Sequence, residues 1–198
     1  MPYNPVDAEK FWNNAIYKKV KGMTRIEKIE YGRTISGSPL NTYLIRKKKA
    51  GSETDQLSAQ ITQALFSIKN RRSVNLTPIN KLLLPDEKNQ RSIVIMTRMA
   101  GSDINGSHIM EGMVDYLLET LDFESLKRQI RFYFIPMANV DSVKYGTSVC
   151  NLTGSNLVND WKNTHKIYQA EIHSLKEFLE SIHSKYPIAA IINLSSQN

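Results

Sequence analysis

The sequence predicts an α/β fold: a mixed sheet with a parallel centre, opened by an antiparallel hairpin and covered by helices on both faces. Three observations carry this expectation. The runs Ser92–Met99 and Gln129–Ile135 are continuously apolar rather than alternating, the pattern of strands buried on both faces. A third apolar run, Ile188–Leu194, follows an amphipathic helical stretch, so strands alternate with helices along the chain. Ahead of them, residues 25–48 alternate polar and apolar on either side of Ser36-Gly37-Ser38-Pro39, whose Gly and Pro suit a tight turn between antiparallel strands.

Each element has its own signal. Over residues 5–21, Val6, Phe11, Trp12, Ala15, Ile16 and Val20 recur at helical spacing, which predicts a leading helix within residues 1–22. After the hairpin the pattern weakens. Residues 50–91 read as an insertion-like segment, with a helical stretch around Leu57–Ile68 and punctuation by Pro78 and Pro85. The strand Ser92–Met99 runs into a loop, Ala100–Asn105, and then a helix over about Gly106–Leu121. Its apolar stripe is Ile109, Met110, Met113, Val114, Leu117, Leu118 and Leu121. The strand Gln129–Ile135 stops at Pro136, a polar loop covers residues 151–161, and a helix over residues 166–186 ends before Pro187.

With 198 residues, 41% hydrophobic and 23% charged, the chain reads as a single domain, 1–198. Cys150 is the only cysteine, so no internal disulfide forms; it reads as a small hydrophobe rather than a nucleophile, in an intracellular protein. The N-terminus lacks an apolar core segment and carries Asp7 and Glu9, unlike a secretory signal or transit peptide. No run approaches 18 apolar residues, so no membrane span is expected. The net charge of +7, concentrated in Arg46–Lys49 and Lys69–Arg72, favours acidic partners. Neither cluster is interleaved with aromatic rings, which ranks a nucleic-acid-binding module last and limits nucleic-acid contact to a place within a ribonucleoprotein assembly.

The strand-loop-helix stretch 96–119 holds His108 and Glu111 at H-x-x-E spacing, a pattern that binds metal when a third ligand approaches. Both lie on the polar face of the expected helix with Asp115, so the solvated-face reading is preferred to the metal reading. His165, His173 and His183 read as surface or half-buried polar residues.

Two blocks carry a resemblance. In "TRMAGSDINGSHIMEGMVDYLL", Arg98, Asn105, Ser107, Gly112 and Asp115-Tyr116-Leu117-Leu118 fit a family pattern without a gap. In "PMANVDSVKYGTSVCNLTGSNLVNDW", Pro136, Met137, Asn139, Asp141, Val143, Gly146, Cys150, Gly154, Leu157 and Trp161 fall in register with a second. Both resemble zinc metallocarboxypeptidases, most closely the cytosolic branch that trims glutamates from tubulin tails. The opening hairpin and the last strand add weaker support, over about residues 23–197 except the middle.

The resemblance also implies what has changed. The family's first zinc-ligand His falls on Ala100, its Glu on Asp103 and its third ligand, a His, on Ser195. The substrate-binding Arg of an Arg-Cys pair falls on Val149, and an Asn-Arg pair on Val158 and Asn159. The family's later strands and its general-base glutamate would follow Asn198, so the domain reads as C-terminally truncated. The expectation is a catalytically inactive, carboxypeptidase-like pseudoenzyme without zinc or other cofactor, serving as a structural or binding subunit of a larger assembly. Other protein subunits would cover the sheet edge, and an acidic surface such as a microtubule is a plausible partner. The alternative is an active zinc metallocarboxypeptidase using Asp103, His108 or Glu111 with residues from another chain. Cytoplasm or cytoskeleton, including the cilium, is the favoured compartment, with the mitochondrion kept open.

Overall fold

The computed structural model describes residues 3–17, 24–47, 90–119, 129–159, 161–162 and 164–195. The expected helix around Leu57–Ile68, the Lys69–Arg72 cluster, Val20 and Leu121 lie outside the described residues.

Helix α1 spans Pro5–Tyr17 and begins with reciprocal capping. Asn4 Oδ1 accepts from the Val6 N–H at 2.8 Å, while the Asn4 N–H donates to Asp7 Oδ2 at 3.0 Å, so donors that a helix start leaves orphaned are satisfied. The helix packs through Ala8, Trp12 and Ala15; Val6 and Ile16, expected on the same stripe, are 57% and 39% exposed. The apolar face that packs is therefore narrower than the spacing suggested.

The hairpin forms as β1 (Thr24–Arg33) and β2 (Pro39–Lys47), antiparallel, with a turn over residues 34–38. Among the described residues three further strands join the sheet, β3 (Arg91–Thr97), β4 (Ile130–Ile135) and β5 (Ile188–Leu194), in the order β1-β2-β4-β3-β5. β4 runs antiparallel to β2, whereas β3 is parallel to both β4 and β5. A hairpin therefore opens a sheet whose centre is parallel, as the sequence predicts. The crossovers supply the helices: α2 (Ile104–Glu119), α3 (Val140–Tyr145) and α4 (Ala170–Lys185).

Two cores lie on opposite faces. One joins Trp12 of α1 and Met110, Val114 and Leu117 of α2 to Tyr43, Ile95 and Phe134; the other joins Ile172, Leu175, Leu179 and Ile182 of α4 to Leu44, Val94 and Tyr133. Trp12 stacks on Tyr43 with ring centroids 4.1 Å apart and an interplanar angle of 6°. Continuous apolar sequence in β3 and β4 is thus explained by burial on both faces.

Several expectations need correction. α2 starts at Ile104, two residues before the expected Gly106, and Ile109, expected on its apolar stripe, is 52% exposed. α4 begins at Ala170 because residues 166–169 form a turn tied by the Gln169 N–H donating to the His165 carbonyl at 2.8 Å. The short α3 has no sequence expectation; six residues are too few for an apolar period, and its signals are Asn139 at the N-cap and Gly146 in the left-handed C-cap. β5 is a sheet-edge strand, with Ile191 49% and Ile192 38% exposed, although its composition reads as fully buried.

Candidate functional site

In a sheet with a parallel centre, the loops at the carboxyl ends of the strands collect side chains from distant parts of the chain. Here those loops begin at Thr97 of β3, Ile135 of β4 and Leu194 of β5, and Thr97 pairs with Leu194 in register. The first loop is anchored to the second. The Ala138 N–H donates to the Thr97 carbonyl at 3.0 Å, the Asn139 N–H to the Arg98 carbonyl at 2.9 Å, and Thr97 Oγ1 to the Pro136 carbonyl at 2.6 Å.

Close approach fixes the rest of this corner. A Cβ on Gly101 would lie 2.3 Å from Ser142 Oγ, and one on Gly106 would lie 2.3 Å from the Leu194 carbonyl oxygen. Both positions therefore require glycine for α2 and α3 to seat against the strand ends.

The predicted site residues fall into two groups. Ala100 and Asp103 are buried and share the 98–103 loop, where the Asp103 N–H donates to the Ala100 carbonyl at 3.1 Å. Ser195, exposed, directly follows the end of β5 beside that loop. Val149, half-buried, sits in a turn whose Ser148 Oγ donates to Ser102 Oγ at 3.3 Å. Val158 and Asn159 are exposed on a turn tied to this one through the Cys150–Asn156 bridge. Cys150, expected to be buried, is half-buried and a free thiol.

His108 and Glu111 stand apart on the outer face of α2. His108 Nδ1 lies 3.8 Å from Glu111 Oε2, and Glu111 Oε1 accepts the Tyr3 hydroxyl at 2.7 Å. The Tyr3 ring meets His108 edge-on at 5.4 Å. Burial, followed by the hydrogen bond to Glu111, raises the Tyr3 pKa above its usual range, which keeps the hydroxyl a donor. Among the described residues no group of three His, Cys, Asp or Glu side chains converges as a metal site. His165, His173 and His183 are spent locally: their Nδ1 atoms face the Ile167 N–H, Thr164 Oγ1 and the Ile188 N–H at 3.2, 3.2 and 3.3 Å.

Sequence reasoning missed the central charge of this corner. Arg98 is 2% exposed and adopts a left-handed backbone, φ +58°, a conformation that L side chains rarely hold without support. Its Nη2 donates to the Tyr3 carbonyl at 2.6 Å, while Nε and Nη1 are buried without a hydrogen-bond partner among the described residues. Burial lowers its pKa, and the neighbouring Asp103 carboxylate acts in the opposite sense. The motif match marked Arg98 only as a framework position, and nothing in its sequence spacing signals a buried cation beside Asp103.

A second missed cluster secures the hairpin turn. Asp141 accepts from Thr34 Oγ1 at 2.8 Å and from the Ser36 N–H at 3.0 Å, and buried Glu171 accepts from Asn151 Nδ2 at 3.1 Å. Burial raises the Glu171 pKa, with Asp141 adding to the rise; the Asn151 bond opposes it.

This strand order, with the loop after β3 leading straight into a helix, is the architecture of metallocarboxypeptidases. The chain is similar to a metallo-carboxypeptidase from Burkholderia cenocepacia with a TM-score of 0.66 at 16% identity, covering 97% of this chain and 40% of that one. At that identity the likeness shows the fold alone. The family model described as zinc carboxypeptidase matches residues 12–171, and the chain belongs to that family. Among curated relatives it is 33% identical over 81 residues to cytosolic carboxypeptidase 2 of Danio rerio, covering 40% of this chain and 11% of the relative. It is 26% identical over 116 residues to cytosolic carboxypeptidase 6 of Caenorhabditis elegans, covering 58% and 25%. The chain thus spans a quarter or less of the length of these relatives.

Proposed function

We propose that this chain is a catalytically silent member of the zinc carboxypeptidase family, acting as a structural or binding component of an intracellular assembly. The observation that carries the reading is the set of side chains at the positions where the family binds metal, Ala100, Asp103 and Ser195, of which Asp103 alone carries a carboxylate. Asp103 supplies one short carboxylate, which by itself does not hold zinc.

The remaining residues do not fit zinc either. Ala100 offers carbon, Ser195 a neutral hydroxyl on an exposed residue, and a zinc site needs three His, Cys or carboxylate donors. On the substrate side Val149, Val158 and Asn159 bring no guanidinium to grip a terminal carboxylate. Removing metal ligands and substrate cations together leaves no unpaired charge of either kind, which a folded binding component tolerates.

The net charge of +7 and the likeness to cytosolic carboxypeptidases support an acidic, microtubule-like partner surface. Metal analysis of the purified chain is the test. We expect less than about 0.1 zinc per chain after dialysis against micromolar zinc, the occupancy of a site with one usable ligand. Stoichiometric zinc, accompanied by hydrolysis of a peptide ending in Glu or Lys, would establish an active carboxypeptidase instead.

A further inference from the structure

Large apolar side chains stand in solvent at a place that neither the 98–103 loop nor the sheet accounts for. Ile167 is 68% exposed and Tyr168 58%, on a turn over residues 166–169. Leu152 is exposed on a second turn. The two turns are fastened at a single atom. The Tyr168 carbonyl accepts from Asn151 Nδ2 at 2.8 Å and from Thr153 Oγ1 at 2.6 Å, and Leu152 lies between those two donors in the chain. The three side chains therefore belong to one patch.

Folding does not require them there. Turn tips are ordinarily Gly, Asn, Asp, Ser or Pro, and both turns are held by bonds that use other groups. Asn151 Oδ1 accepts from the Thr153 and Ser155 N–H groups at 3.1 and 3.0 Å, and His165 Nδ1 accepts from the Ile167 N–H at 3.2 Å. None of these bonds uses the side chain of Leu152, Ile167 or Tyr168. The surroundings are basic: residues 150–170 carry exposed Lys162 and Lys166 against the single carboxylate Asp160, which lies outside the described residues. Lys176 adds a third ammonium, donating to the Trp161 and Lys162 carbonyls at 2.9 and 3.3 Å.

We propose that these paired turns are a peripheral docking surface for an anionic lipid bilayer. Exposed apolar side chains rimmed by polar ones mark an interaction surface, and the lysines select a negatively charged one. Turn tips present side chains outward, whereas a peptide ligand calls for a groove or a free strand edge to lie in. Ile167 and Leu152 enter the boundary between headgroups and acyl chains, Tyr168 sits at the headgroup level where its ring and hydroxyl are both satisfied, and the ammonium groups meet the anionic headgroups. The surface is independent of the silent-enzyme reading, since no metal and no residue of the 98–103 loop takes part.

The test is flotation of the full chain with vesicles, which separates bound chain from self-associated chain that stays below. With phosphatidylcholine vesicles holding about 30% phosphatidylserine we expect binding about tenfold or more above that with phosphatidylcholine alone. Ile167→Asp should weaken it by about tenfold, and Tyr168→Ser, which keeps the carbonyl that joins the turns, should weaken it as well. Lys162→Gln and Lys166→Gln should each cost roughly fivefold on the anionic vesicles. Ile109→Asp makes the same exchange at an exposed position of α2 and should leave binding within twofold of the parent. The proposal is overturned if anionic vesicles fail to float the chain, or if Ile167→Asp and Ile109→Asp bind alike, which would reduce the effect to net charge. It is also overturned if Ile167→Asp changes only the mass of the chain in solution, which would assign the patch to a second copy.

Discussion

At the scale of single residues, the 98–103 loop buries a cation beside a carboxylate. Arg98 and Asp103 are buried together, and each makes the other tolerable. Arg98→Met alone should cost on the order of 3 kcal/mol, because it strands a buried carboxylate. Asp103→Asn in the same background should recover a large part of that loss, and urea unfolding of the two single variants and the double variant measures the coupling. A second prediction concerns pH. The Glu171 pKa is raised by burial, so the folded state holds its proton more tightly than the unfolded chain does. That contribution is present below the ordinary carboxyl range and is lost as pH rises through the folded value. Glu171→Gln, which keeps an oxygen to accept from Asn151, should flatten the decline of melting temperature between acidic and neutral pH. A variant whose pH profile superimposes on the parent's would refute this account of Glu171.

At the scale of elements, helices seat on the sheet through a few close contacts. Gly106 brings α2 against the end of β5, where an added Cβ would fall 2.3 Å from a backbone oxygen that cannot move aside cheaply. Gly106→Ala should therefore destabilise by about 1–3 kcal/mol, the usual cost of overpacking, although alanine is the better helix former. A gain in thermal stability would show that α2 is free to shift. On the same face Trp12 is 1% exposed and stacks on Tyr43. Trp12→Ala should cost about 3–5 kcal/mol in denaturant unfolding, far more than truncating exposed Val6 on the same helix.

At the scale of the whole molecule, the unbalanced feature is β5. Among the described residues it pairs only with β3, and Ile191 and Ile192 leave apolar surface on both faces of an edge strand, a template for pairing. We expect another protein or further carboxypeptidase sequence to cover it. The 198-residue chain by itself should self-associate, and size-exclusion chromatography with light scattering would show mass above 22.6 kDa. Ile191→Lys should shift that distribution toward monomer with little effect on melting; a strictly monomeric parent chain would count against a covered edge.

The sequence alone was enough for the α/β class, the hairpin and the parallel centre, because burial on one face or two leaves alternating or continuous apolar runs that need no tertiary information. It also carried the family, through loop residues such as Asn139 and Gly146 whose caps depend on local geometry. Composition reads Ile188–Leu194 as a buried strand and by itself cannot tell a central strand from an edge; the order β1-β2-β4-β3-β5 puts it at the edge of the described sheet, the open edge that the family resemblance led one to expect. The leading-helix stripe was legible only in part, since exposure of Val6 and Ile16 depends on where α1 docks. The meeting of Arg98 with Asp103 and Tyr3, and the joining of the turns that carry Leu152 and Tyr168, were likewise settled by tertiary structure alone. Charges and polar groups separated by many residues acquire their energies only when folding fixes their distances and removes the water between them.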